Sequence, residues 1–386
     1  MAKPLLCLAF FCASLCWFAA SAAGLRLELV HIDAKDSRTG EERVRRAIER
    51  THRRLASMGV VAAPVRWSET QYITEYLIGD PPQRAEAIVD TGSDLIWTQC
   101  AACRPGCFGQ YLPHYNTSRS RTAQAVPCDG AACAVVSPET RCSTLGGSGA
   151  CTVAVSYGAG DIVGLLGTEV FTFRSEKVSL AFGCVTASRL TPGSLDGASG
   201  IIGLGRGALS LVGDTKFSYC LTPYFRDAVH PSHLFVAASA GLNGDAPVTS
   251  VPFAKNPKEY PFSSFYYLPL VGMSVGSARL AIAAAAFGLR QVATGVWAGG
   301  VVIDSGTPTS VARGDAGTVV PPENYWVPVD TATECMVLFN AAARPGATLP
   351  MNETTIIGNY MQQDMHLLYD LGNGVLSFQP ADCSSM

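Results

Sequence analysis

An all-β chain of two related lobes is what this sequence predicts, and three observations predict it. Short runs rich in Val, Ile, Thr, Phe and Tyr are broken by Gly, Pro or Ser about every ten residues, with few long helical periods. An apolar run delivers an aspartate into a Gly turn twice, at Ile88-Val89-Asp90-Thr91-Gly92-Ser93 and at Val302-Ile303-Asp304-Ser305-Gly306-Thr307. An apolar-apolar-Gly triplet follows each turn, Ile201-Ile202-Gly203 after the first and Ile356-Ile357-Gly358 after the second. The same order occurring twice reads as two copies of one supersecondary unit. A length of 386 residues is enough for two lobes with cores of their own.

Along the chain, residues 1–23 read as a secretory signal: Lys3 gives the positive start, Leu5 to Phe18 the apolar core, and Ala20-Ser21-Ala22 the small-residue cleavage site. That core is short for a bilayer span, and no later stretch looks like one, so no membrane anchor is expected. Residues 24–65 differ from the rest, with nine Lys/Arg against six Asp/Glu, net +3, while 66–386 hold eighteen against twenty-five, net −7. Strong helix formers and closely spaced opposite charges mark Glu41 to Arg50. The alternating run Tyr72 to Gly79 opens the first lobe, 66–236. Within it, 100–151 carries seven cysteines and little apolar periodicity, which reads as a disulfide-stapled insertion. The Gly-, Ala- and Pro-rich stretch within 237–264 connects to a second lobe, 265–386, opening at Phe265-Tyr266-Tyr267-Leu268.

Fourteen cysteines are present, and Cys7, Cys12 and Cys16 leave with the signal. The other eleven are Cys100, Cys103, Cys107, Cys128, Cys133, Cys142, Cys151, Cys184, Cys220, Cys335 and Cys383. In an oxidising compartment these form disulfides, and an odd number leaves at least one without an intramolecular partner. The Cys100-x2-Cys103-x3-Cys107 spacing could suit zinc, but no clustered histidines complete a site, and no metal is expected. Asn116-Thr117-Ser118 and Asn352-Glu353-Thr354 are glycan acceptors where exposed.

The chemistry rests on the doubled aspartate. Like charges held close cannot both ionise, so one carboxyl keeps a proton and serves as acid while the other serves as base, an arrangement suited to activating water. Gly203-Leu204-Gly205-Arg206-Gly207 lacks the Gly-x-Gly-x-x-Gly spacing of a dinucleotide loop. No Gly-x-Ser-x-Gly elbow marks a serine hydrolase, and the six histidines show no ligand spacing. A net charge of −3 argues against a nucleic-acid partner.

The stretches 87–100, 196–212, 216–223, 299–307 and 355–383 resemble those of pepsin-type aspartic endopeptidases, in particular the plant nepenthesin-like branch with its cysteine-rich insertion. The resemblance implies a bilobal pepsin-like fold, β-rich with few short helices, in which two six-stranded-barrel-type lobes face each other across the active-site cleft. It implies hydrolysis of polypeptide substrates at acidic pH by a monomer that uses no cofactor. Residues 24–65 then become a prosegment of a zymogen, lying over the acidic cleft and shed in acid. Asp90 and Asp304 become the catalytic dyad. Ser93 and Thr307 bond the outer carboxylate oxygens, Thr91 and Ser305 cross-link the two turns, and Gly92 and Gly306 let the turns bend and leave backbone N–H groups available.

Val155 to Asp161 resembles the tip of the substrate flap, with Tyr157 and Gly158 at the tip and Trp97 as the tyrosine's companion; Ala159 stands where the family usually has Asp. Cys220 and Cys383 become partners and Cys335 the free thiol. The destination is the secretory pathway, ending in the extracellular space, the cell wall or the vacuole. One feature departs from the family pattern. From Asp90 to Ile201 is 111 residues but from Asp304 to Ile356 only 52. The second lobe is shortened after residue 311 by about sixty residues, judged by the lengths the resemblance implies. Two alternatives stay open beside the endopeptidase: a catalytically silent relative that binds peptides or inhibits another enzyme, and a chain too incomplete to fold.

Overall fold

The computed structural model describes residues 24–32, 39, 42, 71–103, 106–134, 139–143, 149–157, 160–223, 230–275, 277–307, 310–311, 320–329, 332–339 and 353–386. The signal segment 1–23, nearly all of 33–65, Gly158 and Asn352 lie outside them.

Among the described residues the chain is built from strands and single-turn helices. A fifteen-stranded sheet carries the first lobe and runs on into the second. Towards one end of it Phe217–Cys220 pairs antiparallel with Met365–Asp370, joining strands that are far apart in sequence. The seam is aromatic. Phe217 stacks on Tyr369 with ring centroids 4.3 Å apart, and the Tyr219 and Tyr369 hydroxyls lie 2.8 Å apart with no water access. Burying such large rings is among the strongest apolar contributions a residue can make, so this seam fixes the lobes to a common base. The Cys220–Cys383 disulfide closes a span of 163 residues across the same region.

Leu25–His31 is a strand of this sheet, paired on one side with Ser232–Val236 and on the other with Tyr72 and Ile73. Its alternation puts Leu25, Leu27 and Leu29 into the main core and Arg26, Glu28 and Val30 outward. The period of two is the reason: three leucines on one face are buried only as a strand over the core. The start of the segment assigned to the prosegment is therefore a strand of the core sheet. Further on, Thr39 and Glu42 exchange the reciprocal bonds of a capping box, 3.2 Å from each backbone N–H to the other's side chain, as at the start of a helix.

The two copies of the repeated unit have the same topology. Gln83–Asp90 runs parallel to Gly200–Gly203, with Ile88 opposite Ile201 and Asp90 opposite Gly203. Val301–Asp304 runs parallel to Thr355–Gly358, with Val302 opposite Ile356 and Asp304 opposite Gly358. Each aspartate thus ends a strand buried on both edges, beside the strand of the apolar-apolar-Gly triplet. The lobes differ in bulk. The first holds a large cluster around Trp97 and most of a larger one with Phe171, Phe173 and Phe182, which runs on into the second lobe through Tyr266, Ile303 and Tyr369. The second has a five-stranded sheet and, among the described residues, small clusters around Phe265, Tyr267 and Val302 and around Val327, Val337 and Tyr360.

Among the described residues five disulfides pair Cys100 with Cys184, Cys103 with Cys107, Cys128 with Cys142, Cys133 with Cys151 and Cys220 with Cys383, and Cys335 is free. Three of them staple the 100–151 insertion internally and Cys100–Cys184 ties it to the strand Glu176–Leu190. Polar anchoring adds to this: Glu169, on the strand Gly160–Phe173, accepts bonds from the Tyr115 and Thr122 hydroxyls.

Candidate active site

The two aspartates meet because their turns are locked to each other. The Thr91 N–H donates to Ser305 Oγ at 3.1 Å, and the Ser305 N–H donates to Thr91 Oγ1 at 2.9 Å. Ser305 Oγ also donates to the Val89 carbonyl at 3.1 Å. All of these groups are buried, so each bond satisfies a polar atom that would otherwise be stranded away from water. A hydroxyl on the second residue of each turn is what this reciprocal exchange requires.

Within each turn the carboxylate is held in the same way. The Gly92 N–H donates to Asp90 Oδ1 at 3.0 Å, and the Ser93 hydroxyl donates to Oδ2. The Gly306 N–H donates to Asp304 Oδ1 at 2.9 Å, and the Thr307 hydroxyl donates to Oδ2 at 2.6 Å. The inner oxygens of both carboxyl groups converge on Gly306. A Cβ built there would fall 2.1 Å from Asp90 Oδ1 and 3.3 Å from Asp304 Oδ1, so only glycine fits and the two oxygens lie within reach of one bridging water. Asp90 and Asp304 are nearly inaccessible, 1 % and 2 % exposed, which keeps bulk water from screening their mutual repulsion.

Tyr157 ends the strand Ala150–Tyr157 of the hairpin that Gly160–Phe173 continues. Trp97 Nε1 donates to its hydroxyl at 2.8 Å. Trp97 is fully buried and holds the tyrosine from below. Asn116, at the first glycan acceptor, caps a short turn, its Oδ1 accepting from the Ser118 N–H and hydroxyl.

Several groups that position the site were not foreseen. The Asn359 side chain donates to the Ser305 carbonyl at 2.9 Å and its backbone N–H to the Thr307 carbonyl at 2.7 Å. Gln71 Nε2 donates to the Gly306 carbonyl at 2.6 Å, and the Gln71 carbonyl accepts from Ile32 just past the first strand. Asn359 follows the second triplet directly, and comparing the two copies at that position, Leu204 against Asn359, is the signal that could have found it. Gln71 lies 235 residues from its partner and has no local signature.

Two lobes on one sheet, each contributing an Asp-(Thr/Ser)-Gly-(Ser/Thr) turn to a common centre, make the pepsin-like aspartic protease fold. The solved structure described as "Crystal structure of edgp" matches that fold with a TM-score of 0.62 at 16% identity, covering 94% of this chain and 96% of that one. Family models described as "Xylanase inhibitor N-terminal" and "Xylanase inhibitor C-terminal" match residues 72–236 and 312–380. Aspartic proteinase nepenthesin-1 of Nepenthes gracilis is 32% identical over 95% of this chain and 92% of its own length. Nepenthesin-2 of the same plant is 31% identical over 94% and 91%, and aspartyl protease family protein 2 of Arabidopsis thaliana 30% identical over 94% and 86%. The chain belongs to the nepenthesin-like branch of the plant aspartic proteinases. The alignment to nepenthesin-1 runs over 429 positions, more than the 386 residues of this chain, so the relative carries segments that this chain lacks.

Proposed function

We propose that this chain is a secreted aspartic endopeptidase that cleaves polypeptides at acidic pH, with Asp90 and Asp304 as the catalytic pair. The observation that carries the reading is the reciprocal Thr91–Ser305 exchange, which holds the two carboxyl groups face to face. In this mechanism the two carboxyl groups share one proton, so that one serves as acid and the other as base. A water between the inner oxygens loses a proton to the ionised carboxylate as its oxygen attacks the scissile carbonyl. The protonated carboxyl gives its proton to the carbonyl oxygen. The tetrahedral diol then collapses: one of its hydroxyls returns a proton to the ionised carboxylate as the C–N bond breaks, the nitrogen leaves with the proton of the other carboxyl, and the pair again holds one proton. Ser93 and Thr307 keep the outer oxygens engaged so that only the inner ones exchange protons. Tyr157, held by Trp97, closes over the substrate backbone.

The signal 1–23 directs the chain into the secretory pathway, towards the extracellular space, the cell wall or the vacuole. The cut that activates it falls near Arg66, at the end of the 24–65 segment. A second reading, a relative that binds without cleaving, is favoured by one observation: both matching family models are described as halves of a xylanase inhibitor. The test is digestion of a denatured globular protein from about pH 2 to about pH 6, with and without a pepstatin-type inhibitor, beside the Asp304→Asn variant. Inhibitable cleavage that is lost in the variant supports the endopeptidase. Soluble, folded protein without cleavage supports the binder.

A further inference from the structure

The segment Gly203-Leu204-Gly205-Arg206-Gly207 has no role in the chemistry above, yet it wraps a buried carboxyl that the dyad does not use. Asp94 lies four residues past Asp90 and is 6 % exposed. Its Oδ1 accepts the Gly207 N–H at 2.8 Å, and its Oδ2 lies 2.5 Å from the hydroxyl of Ser264, which is itself 1 % exposed. Ser264 stands two residues before Tyr266–Tyr267, the strand paired with Val301–Asp304. One carboxyl therefore touches the first aspartate's turn, the Gly-rich segment and the approach to the second aspartate's strand.

The three glycines explain themselves by contact with it. A Cβ on Gly205 would fall 2.2 Å from Asp94 Oδ1, one on Gly207 2.2 Å from Oδ2, and one on Gly203 2.3 Å from the Asp94 carbonyl carbon. Further bonds tighten the same junction. The Leu204 N–H donates to the Asp90 carbonyl at 2.8 Å, the Gly205 N–H to the Ser93 carbonyl at 2.8 Å and the Arg206 N–H to the Ser264 carbonyl at 3.1 Å. The Tyr266 hydroxyl donates to the Leu204 carbonyl at 2.7 Å.

We infer that Asp94 is a positioning residue, a latch whose bonds to Gly207 and Ser264 set the second lobe's strand against the Asp90 turn. The inference rests on the endopeptidase reading and names what holds that site in register. Both bonds end on the carboxyl oxygens of Asp94: Oδ1 accepts the Gly207 N–H and Oδ2 accepts the Ser264 hydroxyl. Burial raises the Asp94 carboxyl above the ordinary carboxylate range, with the Ser264 and Gly207 bonds opposing. The charged and titratable groups around it are Asp90 on its own turn, Arg206 on the Gly-rich segment, and Tyr260 and Tyr266 from the second lobe's approach. The Arg206 guanidinium stacks 5.4 Å over Phe253 and 5.7 Å over Tyr266. Tyr260 donates to the buried Glu139 at 2.8 Å. Burial holds both phenols neutral, and the field of Asp94 adds to it. A carboxyl raised in the folded state stabilises the fold fully below the ordinary Asp range, and that contribution is lost as pH rises through the folded value.

The experiment compares Asp94→Asn, Asp94→Ala and Ser264→Ala in the full chain, by peptide cleavage and by thermal melting across pH. Asparagine keeps the shape of the side chain without its charge: Oδ1 still accepts from Gly207, and Nδ2 donates to Ser264 Oγ once that hydroxyl turns away. It is expected to keep kcat close to wild type and to flatten the fall in melting temperature above the ordinary carboxylate range. Asp94→Ala and Ser264→Ala are expected to lower kcat, with KM little changed; an ångström of misplacement costs about a hundredfold. Wild-type kcat in both Asp94→Ala and Ser264→Ala overturns the latch. So does an Asp94→Asn melting profile that follows the wild type at every pH. If Asp94→Ala does not fold, Ser264→Ala and Asp94→Asn carry the comparison. If the wild type itself fails to cleave, the endopeptidase reading falls while melting still judges the latch: Asp94→Asn must melt above Ser264→Ala and with the flatter pH dependence, and the reverse order refutes it.

Discussion

Replacing Ser305 by alanine removes one hydroxyl and strands two groups. The Thr91 N–H loses its acceptor at 3.1 Å, and the Val89 carbonyl loses a donor at 3.1 Å. Thr91 is 0 % exposed and Val89 2 %, so no water replaces the lost partner. A buried polar group left unsatisfied costs about 1–3 kcal/mol, and a loss of that size is a large share of the stability of a domain. The companion change Thr91→Val removes the acceptor of the Ser305 N–H at 2.9 Å and costs a similar amount. Because the two bonds close one ring between the turns, breaking either loosens the other. The double variant is expected to cost less than the sum of the singles by about 0.5–3 kcal/mol. Denaturant unfolding in acid measures the stabilities, and steady-state cleavage measures kcat. Both singles are expected to lower kcat, since the bonds set the approach of the two carboxyl groups. Singles that are neutral in stability and in kcat would refute the view that this exchange assembles the site.

Three further outcomes are expected. Gly306→Ala drives a methyl into Asp90 Oδ1 at 2.1 Å and abolishes cleavage while the far first-lobe core stays folded, as near-ultraviolet circular dichroism and an activity assay together will show. For Glu169, burial acts to raise the carboxyl, but donors from Thr122, Tyr115 and the Val170 N–H outweigh it and hold it below the ordinary Glu range. Its contribution is therefore present above the ordinary value and is lost as pH falls through the depressed one. Glu169→Gln should then reduce the acid sensitivity of hydrogen exchange in the 100–151 insertion; an unchanged profile would remove Glu169 as the cause. Thiol titration of the denatured, unreduced protein after signal removal should count a single reactive cysteine, and alkylation mapping should place it at Cys335.

The parts of the site that were legible in the sequence are those made by short contiguous segments. Asp90-Thr91-Gly92-Ser93 and Asp304-Ser305-Gly306-Thr307 each hold their own carboxylate through bonds to residues two and three positions on, so residue order carries the geometry. The triplets were legible because the pattern is doubled. The core role of Leu25–His31 was present as an alternation of Leu with polar residues, but it sat in a basic segment whose charge pointed elsewhere. The three glycines of 203–207 were visible and had no assignable purpose until Asp94 was seen among them.

By itself the sequence determined the class of chain, the two aspartates and the hydroxyls that serve them, because hydrophobic period, turn chemistry and local hydrogen bonding all act over a few residues. Only the tertiary structure decided which distant groups complete the site. Gln71 reaches Gly306 across 235 residues, Ser264 reaches Asp94 across 170, and Thr91 meets Ser305 across 214. Bonds of that separation leave no periodic trace in a chain. They exist because a continuous sheet, sealed by Phe217 on Tyr369, brings the two lobes to one register, and a buried donor then takes whichever acceptor the packing places before it.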